Sequence, residues 1–244
     1  MMQGTHSPGE PAEPLRFHAY RNEDKWAWAI AVVVAAELRR ELEQHARARL
    51  LVSGGTTPAP AFRALSQAPL EWDRVEVGLV DERWLLPEDE ESNAYLARTQ
   101  LLRNRAAVAR LETLTQSGRR IEEAVAVANL HARRRAGVVL LGMGDDGHTA
   151  SLFPYMRDLG FALSTSNAYV PVDASGCPGA GQWLRRISLT PSGLAQAHTR
   201  LLLIRGDRKR QVIDRALAGD DPVELPVRIA FQTPGAQLQV HWCP

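Results

Sequence analysis

Short apolar runs alternate along the chain with longer segments in which apolar residues recur every three or four positions. The short runs predict buried strands, and the longer segments predict amphipathic helices. The predicted strands are residues 49–53, 75–81, 138–142, 169–172, 186–190, 200–205 and 237–242. The predicted helices are residues 22–47, 58–66, 91–104, 119–135, 191–197 and 207–218. This alternation predicts an α/β fold, a three-layer α/β/α sandwich around a mainly parallel, modified Rossmann-like sheet.

The composition is that of a folded domain preceded by a short tail. The chain has 244 residues, of which 45% are hydrophobic and 23% are charged. Residues 1–14 are rich in Pro, Gly and polar side chains, and we expect them to form a disordered tail. Residues 15–244 are expected to form a single α/β domain, in which the Gly- and Pro-rich residues 173–182 form a loop beside the functional site.

Charge and hydropathy exclude several classes of partner. Lys and Arg number 29 against 28 Asp and Glu, so no net field attracts nucleic acid or an anionic membrane. The most apolar stretch, residues 26–36, is shorter than the roughly 20 residues that a bilayer span requires. The N-terminus lacks the pattern of a signal peptide, and two cysteines are too few for a disulfide framework. We therefore expect a cytoplasmic protein with no nucleic-acid or membrane partner.

The first chemically informative segment follows the strand predicted at residues 49–53. It reads Ser53-Gly54-Gly55-Thr56-Thr57 and leads into a helix that begins with Pro58. Glycines allow close approach of the backbone to an anion, and N–H groups, hydroxyls and the helix dipole favour negative charge there. The segment predicts a phosphate cradle, with an ordinary tight turn as the alternative. It lacks the Gly-Lys-Ser/Thr ending of a nucleotide-binding P-loop.

The second segment places three charges, Asp81-Glu82-Arg83, at the end of another predicted strand, with Asn93 at the start of the following helix. Ligands of open α/β sheets bind at the carboxyl ends of the strands. A carboxylate and a guanidinium at such an end can hold sugar hydroxyls and polarise a carbonyl. The alternative is a solvated ion pair with no role in binding.

The third segment contains three glycines spaced as G-x-G-x-x-G within residues 142–147, followed by His148. A dinucleotide site is disfavoured, because Asp145 and Asp146 would face the pyrophosphate. We expect the glycines to expose His148 at the start of a helix, whose dipole would favour the neutral imidazole that a general base needs. Asp146 could orient the ring or hold a substrate hydroxyl.

Other catalytic and metal-binding arrangements are not indicated. The remaining six histidines fall in the tail, at element ends or on polar helical faces, where surface or capping roles are expected. No histidine pair is spaced i, i+4, so neither a metal site nor a metal cofactor is predicted. The nucleophile motif G-x-S-x-G is absent, which disfavours a serine hydrolase.

Together the three segments resemble the 6-phosphogluconolactonase family, within the superfamily that includes glucosamine-6-phosphate deaminase and ribose-5-phosphate isomerase. The resemblance extends over residues 26–242, and a fourth stretch, residues 186–190 followed by Lys209, fits it too. Lys209 is informative because only one other lysine, Lys25, occurs in the chain. Residues 149–154 after the histidine read T-A-S-L-F-P, which favours the lactonases over the deaminases.

The resemblance implies hydrolysis of 6-phospho-D-glucono-1,5-lactone, the second step of the oxidative pentose phosphate pathway, by a sugar-phosphate hydrolase domain without cofactors. It implies His148 as the base that activates water and Arg83 as the group that stabilises the oxyanion. Asp81 and Asp146 would hold sugar hydroxyls or the imidazole. The expected phosphate and substrate contacts are Ser53, Gly54, Gly55, Thr56, Thr57, Asn93, Arg186 and Lys209.

Two alternatives stay open from the sequence. The nearer is an isomerase or deaminase of the same superfamily, which would act on another sugar phosphate. The more distant is a catalytically inactive protein that only binds sugar phosphates. The oligomeric state is not predicted.

Overall fold

Ten strands and eight α-helices occur within residues 15–244, which are the residues that the computed structural model describes. The predicted tail, residues 1–14, lies outside them. The strands are β1 (Leu15–Ala19), β2 (Ala48–Val52), β3 (Val75–Leu79), β4 (Asp81–Arg83), β5 (Arg110–Leu111), β6 (Val138–Leu141), β7 (Tyr169–Asp173), β8 (Arg185–Leu189), β9 (Thr199–Arg205) and β10 (Leu238–Cys243). The α-helices are α1 (Glu23–Gln44), α2 (Ala59–Leu65), α3 (Asn93–Leu96), α4 (Ile121–His131), α5 (Leu159–Ser164), α6 (Pro191–Leu194), α7 (Asp207–Leu217) and α8 (Ile229–Gln232).

Seven strands form one parallel sheet in the order β1-β10-β9-β6-β2-β3-β5. Every residue of β2, β3 and β6 is buried, so both faces of the centre of the sheet are covered, as is typical of parallel sheets. The predicted α/β class and mainly parallel sheet are confirmed. Because the strands are parallel, the segments that follow β2, β6 and β9 all leave the sheet at the same edge.

A second, antiparallel sheet, which was not predicted, has the order β4-β8-β7. The strand predicted at residues 75–81 is divided at Val80, where the chain passes from one sheet to the other. The Val80 N–H donates to the Val52 carbonyl (2.9 Å), whereas the Val80 carbonyl accepts from the Leu189 N–H (2.8 Å). The strands predicted at 169–172 and 186–190 also belong to this second sheet, which lies beside the carboxyl end of β3.

The long first helix agrees with its prediction. Asn22 caps α1 by accepting from the Lys25 N–H (3.0 Å). Trp26 is fully buried, and its indole N–H donates to the carbonyl of His241 on β10 (2.9 Å). The apolar face of α1 therefore packs on the sheet, and no helix within residues 15–244 is long and apolar enough to cross a membrane.

The helix predicted at residues 91–104 is irregular. One α-helical turn, α3, passes into π-helical Ala97–Leu101, and a 3₁₀ segment, Asn104–Val108, follows. The Thr99 hydroxyl donates to the Tyr95 carbonyl four residues earlier (2.9 Å), a side-chain bond that competes with helical pairing and bends helices. The short elements β1, β5, α5 and α8 were also not predicted.

Candidate active site

A cleft of about 240 Å³ opens at the carboxyl ends of β2, β6 and β9, beside β4. This volume is at the low end for ligand pockets and suits a small metabolite rather than a polymer. The cleft is lined by Ser53, Gly54, Gly55, Thr56, Thr57, Asp81, Arg83, Asn93, Gly142, Met143, Gly144, His148, Ala150, Arg186 and Lys209. The structure thus brings together every predicted site residue except Asp146, which lies behind His148 at a neighbouring depression.

Residues 54–57, here named the GGTT loop, present backbone donors to the cleft. Within residues 15–244 no group accepts a hydrogen bond from the N–H groups of this loop. Gly55 has φ +84°, a conformation that favours glycine. The Lys209 ammonium lies 3.4 Å from the Thr57 hydroxyl. Burial lowers the pKa of Lys209 below its usual value, and the nearby Asp145 carboxylate only partly opposes this shift. The loop and Lys209 together suit an anion with several oxygens.

Ser53 has a different role from its neighbours in the GGTT loop. Its N–H and its hydroxyl both donate to the Leu140 carbonyl, at 3.1 and 2.9 Å, and its hydroxyl oxygen accepts from the Gly142 N–H (3.1 Å). These bonds join the ends of β2 and β6. With its donors already used, Ser53 fixes the base of the cleft, and the donors available to an anion begin at Gly54.

Asp81 is buried at the cleft wall and is held by two side chains. The Ser151 hydroxyl donates to Asp81 Oδ2 (2.5 Å). The Asn93 amide donates to the Asp81 carbonyl (2.7 Å) and to Asp81 Oδ1 (3.3 Å). A Cβ at Gly54 would overlap the Asn93 side-chain oxygen, so the Asn93 amide packs directly on the GGTT loop. Asn93 therefore links the loop to Asp81, beyond its predicted role as a substrate contact.

Arg83 and Glu82 lie on opposite faces of β4. Arg83 lines the cleft, and its guanidinium donates to the Glu91 carbonyl. Glu82 is fully buried away from the cleft and accepts three backbone hydrogen bonds. Burial raises the pKa of Glu82 to about 7, although the N–H donors of Asn93 and Ala94 oppose the shift.

Asp146 and His148 form a hydrogen-bonded pair. His148 Nδ1 lies 2.6 Å from Asp146 Oδ1, which also accepts from the His148 backbone N–H (3.1 Å). Burial raises the pKa of Asp146, but the hydrogen bonds and the charge of His148 outweigh this and leave it below its usual value. Because Asp146 is ionised and has no proton to share, Nδ1 of a neutral ring carries the hydrogen. Nε2 is then left unprotonated and able to accept a proton.

The prediction that His148 begins a helix is wrong. Within the described residues the chain after β6 forms turns and one isolated bridge between Thr149 and Leu152, and the next helix, α5, begins at Leu159. The Gly144 N–H donates to the His148 carbonyl (2.9 Å), and a Cβ at Gly144 would overlap the imidazole. A tight glycine turn and the Asp146 carboxylate, rather than a helix dipole, orient the ring.

Arg186 was predicted to supply charge to a phosphate, but most of its donors have protein partners. It donates to the carbonyls of Trp183 (2.8 Å) and Ala180 (2.5 Å), and one nitrogen lies 3.4 Å from the Ser151 hydroxyl. These bonds hold the loop of residues 173–182 beside the site. A Cβ at Gly179 of this loop would overlap Asp146 Oδ2, so the loop packs against the Asp146–His148 pair.

Four residues that line the cleft were not predicted as contacts, namely Gly142, Met143, Gly144 and Ala150. Three residues that position site side chains were also not predicted to have a role, namely Glu82, Ser151 and Gly179. Strand alternation could have identified Glu82, because neighbours of cleft-facing Asp81 and Arg83 must point inward. Ser151, a fully buried hydroxyl in an apolar stretch, carries a weaker signal, and Gly179 carries none. Within residues 15–244 no group of three His, Cys, Asp or Glu side chains is arranged to hold a metal ion.

Comparisons with known proteins identify the family of the chain. A family model described as "Glucosamine-6-phosphate isomerases/6-phosphogluconolactonase" matches residues 21–242. A protein named 6-phosphogluconolactonase from Xylella fastidiosa (strain 9a5c) is 45% identical over 237 residues, 96% of this chain and 99% of that protein. A crystal structure of a 6-phosphogluconolactonase from Shewanella baltica OS155 has a TM-score of 0.88 at 30% identity, covering 94% of this chain and 98% of that one. The chain therefore belongs to the glucosamine-6-phosphate isomerase/6-phosphogluconolactonase family.

Proposed function

We propose that the protein hydrolyses 6-phospho-D-glucono-1,5-lactone to 6-phospho-D-gluconate, using water that His148 activates. One observation carries the proposal. The Asp146-oriented imidazole opens on the same small cleft as the GGTT loop and Lys209. The relatives named 6-phosphogluconolactonase support the choice of substrate.

The 6-phosphate binds at the GGTT loop. Its oxygens accept from the free N–H groups of residues 54–57 and from the Lys209 ammonium. These contacts are the same before and during the reaction, so they hold the substrate rather than lower the chemical barrier. Arg186 supplies positive charge at the wall while it secures the neighbouring loop.

His148 performs the proton transfers. Nε2 takes a proton from a water molecule, and the resulting hydroxide attacks C1 of the lactone. Asp146, hydrogen-bonded at Nδ1, stabilises the imidazolium that forms. The tetrahedral intermediate then collapses with cleavage of the bond from C1 to the ring oxygen. The imidazolium returns its proton to that oxygen, and the carboxylic acid product ionises in water.

Arg83 acts on the oxyanion of the tetrahedral intermediate, and Asp81 acts on a hydroxyl of the sugar. Arg83 lines the cleft beside β4 and stabilises the negative charge that develops on the carbonyl oxygen. Asp81, fixed by Ser151 and Asn93, accepts from a sugar hydroxyl and so orients the ring. No covalent intermediate is required, because a lactone carbonyl is already electrophilic.

A coupled assay of freshly prepared lactone, corrected for spontaneous hydrolysis, tests the activity. The His148→Gln variant should lose about two to four orders of magnitude in kcat, the usual contribution of a general base. The exposed, Glu41-paired His198 provides the control, and His198→Gln should retain wild-type turnover. An unchanged kcat in His148→Gln would remove the imidazole from the mechanism. Release of ammonia from glucosamine 6-phosphate instead would support a deaminase.

Competition by inorganic phosphate tests the phosphate subsite. We expect phosphate to inhibit competitively, and Lys209→Met to raise its inhibition constant about tenfold, because a charge-assisted bond is lost. The chain supplies a matched control in Lys25, its only other lysine, which lies outside the cleft on α1. Equal inhibition of the Lys209→Met and Lys25→Met variants would place the phosphate elsewhere.

A further inference from the structure

We infer that Glu82 is a positioning residue for the lactone hydrolysis, which holds Arg83 and Asn93 at the working side of the cleft without touching substrate. The inference rests on the proposed function. Glu82 does not line the cleft, and its side chain is 0% exposed. Any effect it has on turnover must therefore pass through its neighbours.

The Glu82 carboxylate joins two segments of the site. Oε1 accepts from the backbone N–H groups of Arg83 and Asn93, both at 2.8 Å. Oε2 accepts from the Ala94 N–H, also at 2.8 Å. One carboxylate thus fixes the end of β4, which carries Arg83, to the start of α3, which carries Asn93.

Fixing Asn93 also fixes the groups that Asn93 contacts. Its amide donates to the Asp81 carbonyl and carboxylate, and its side-chain oxygen lies against Gly54. The separation between Asp81 and the GGTT loop therefore depends on where Asn93 is held. Asp81 and Arg83 share the cleft-facing side of β4, so a shift of this strand would misplace both together.

Helix capping alone does not explain a buried carboxylate here. Ser92 already caps α3, since its hydroxyl oxygen accepts from the Tyr95 N–H (2.9 Å). An isolated buried carboxylate is costly, and complete hydrogen bonding is needed to offset that cost. All three partners of Glu82 are donors, so an amide at this position would set one of its own N–H groups against a backbone N–H.

The test compares Glu82→Gln and Glu82→Asp with Glu76→Gln in the full-length protein. Glu76 is a matched control because it is also buried, lies on the neighbouring β3 and pairs with Arg134 outside the cleft. For each variant we would measure Tm, kcat, KM and the inhibition constant of inorganic phosphate. Glu82→Asp keeps the charge on a shorter side chain, so it supplies a folded variant if Glu82→Gln is unstable.

We expect kcat to fall ten- to hundredfold in Glu82→Gln and three- to tenfold in Glu82→Asp. The inhibition constant of phosphate should change much less than kcat, because Glu82 reaches the GGTT loop only through the contact of Asn93 with Gly54 and the Lys209 side chain is intact. Glu76→Gln should lower Tm and leave kcat per folded molecule unchanged.

Wild-type kcat in both Glu82 variants, or a parallel loss of kcat and phosphate binding, would overturn the inference and leave the proposed function standing. So would an equal loss of kcat in Glu76→Gln. An inactive wild-type protein would overturn both.

Discussion

At the scale of single residues, Asp146 determines which nitrogen of His148 is available for chemistry. Its carboxylate accepts from both the ring and the backbone of His148, and its lowered pKa keeps it ionised. The proton of a neutral ring is therefore on Nδ1, and Nε2 is the nitrogen that can accept a proton. The orientation requires only one turn of chain, because the two residues are separated by Gly147 alone.

Replacement of Asp146 by asparagine should disable His148 as the proposed base, although the two side chains have nearly the same size and shape. An amide can donate to Nδ1 and so favour the tautomer that carries its proton on Nε2. We expect kcat to fall by about 10²–10⁴. The measurement is the steady-state kcat of Asp146→Asn, with Asp145→Asn as the control. Asp145 is the neighbouring residue in the chain, and its carboxylate lies 3.4 Å from the Arg208 guanidinium. Equal activity in the two variants would contradict the role of Asp146.

At the scale of elements, the loop of residues 173–182 forms one wall behind the Asp146–His148 pair. Arg186 secures it through the carbonyls of Ala180 and Trp183, and Gln182 donates to the Glu91 carboxylate at 3.1 Å. Gly179 brings the loop backbone into contact with Asp146, where a side chain would not fit. The loop therefore restricts the rotamer of Asp146.

A methyl group at Gly179 should displace Asp146 and so misorient His148. We expect Gly179→Ala to lower kcat at least tenfold, with phosphate inhibition unchanged because the GGTT loop lies elsewhere in the cleft. Gly160 in α5 is a suitable control, since a Cβ there meets nothing within 4 Å. The kcat, the inhibition constant of phosphate and the Tm should be measured for Gly179→Ala and Gly160→Ala. A fully active Gly179→Ala enzyme would show that the loop can shift to accommodate the methyl group without displacing Asp146.

Elements also show how far the sequence predicts this fold. The apolar run at residues 75–81 indicates a strand, but its periodicity carries no information about the change of sheet at Val80. The helix predicted at 91–104 has suitable apolar spacing, yet the Thr99 hydroxyl competes for a backbone carbonyl there. The strand β1 was missed because it is short and lies at the sheet edge beside a Pro-rich segment.

The candidate site was largely predicted, because ligands meet parallel sheets where strands end and the unusual residues follow β2, β6 and β9. The hydrogen-bond partners of the site residues were not predicted, since many of them come from distant segments of the chain. Ser53 donates to Leu140, and Arg186 donates to Ala180. Such choices depend on packing in three dimensions, which residue types and spacing do not specify.

At the scale of the whole molecule, one buried histidine should make stability depend on pH. His241 on β10 is fully buried, with its ring stacked on His18 (4.8 Å) and its Nδ1 2.9 Å from the Tyr20 hydroxyl. Burial, together with the charge of His18, lowers the pKa of His241 from 6.5 to about 3. Unfolding therefore binds a proton between these values, so the stabilisation present above pH 6.5 is lost as the pH falls.

Urea unfolding at pH 7.5 and pH 5 measures this effect. The contribution of His241 to the free energy of unfolding should fall by about 2 kcal/mol between these pH values. His241→Phe should remove this contribution, so the change in unfolding free energy between the two pH values should differ by about 2 kcal/mol between wild type and variant. The opposite contribution of Glu82, whose pKa is raised to about 7, is common to both proteins and cancels in this comparison. The exposed His45 is the control, and His45→Phe should keep the wild-type difference. A pH dependence that is equal in both variants would exclude His241 as its source.

The parts of the cleft are widely separated along the chain, from the GGTT loop near its beginning to Lys209 near its end. The strands β9 and β10 also join β6 to β1, so an incomplete polypeptide leaves the sheet in two pieces. During synthesis on the ribosome, no catalytic competence can arise until the last strands have emerged and paired. A prematurely terminated product would thus be inert toward the lactone, even though its first half already contains the entire GGTT loop.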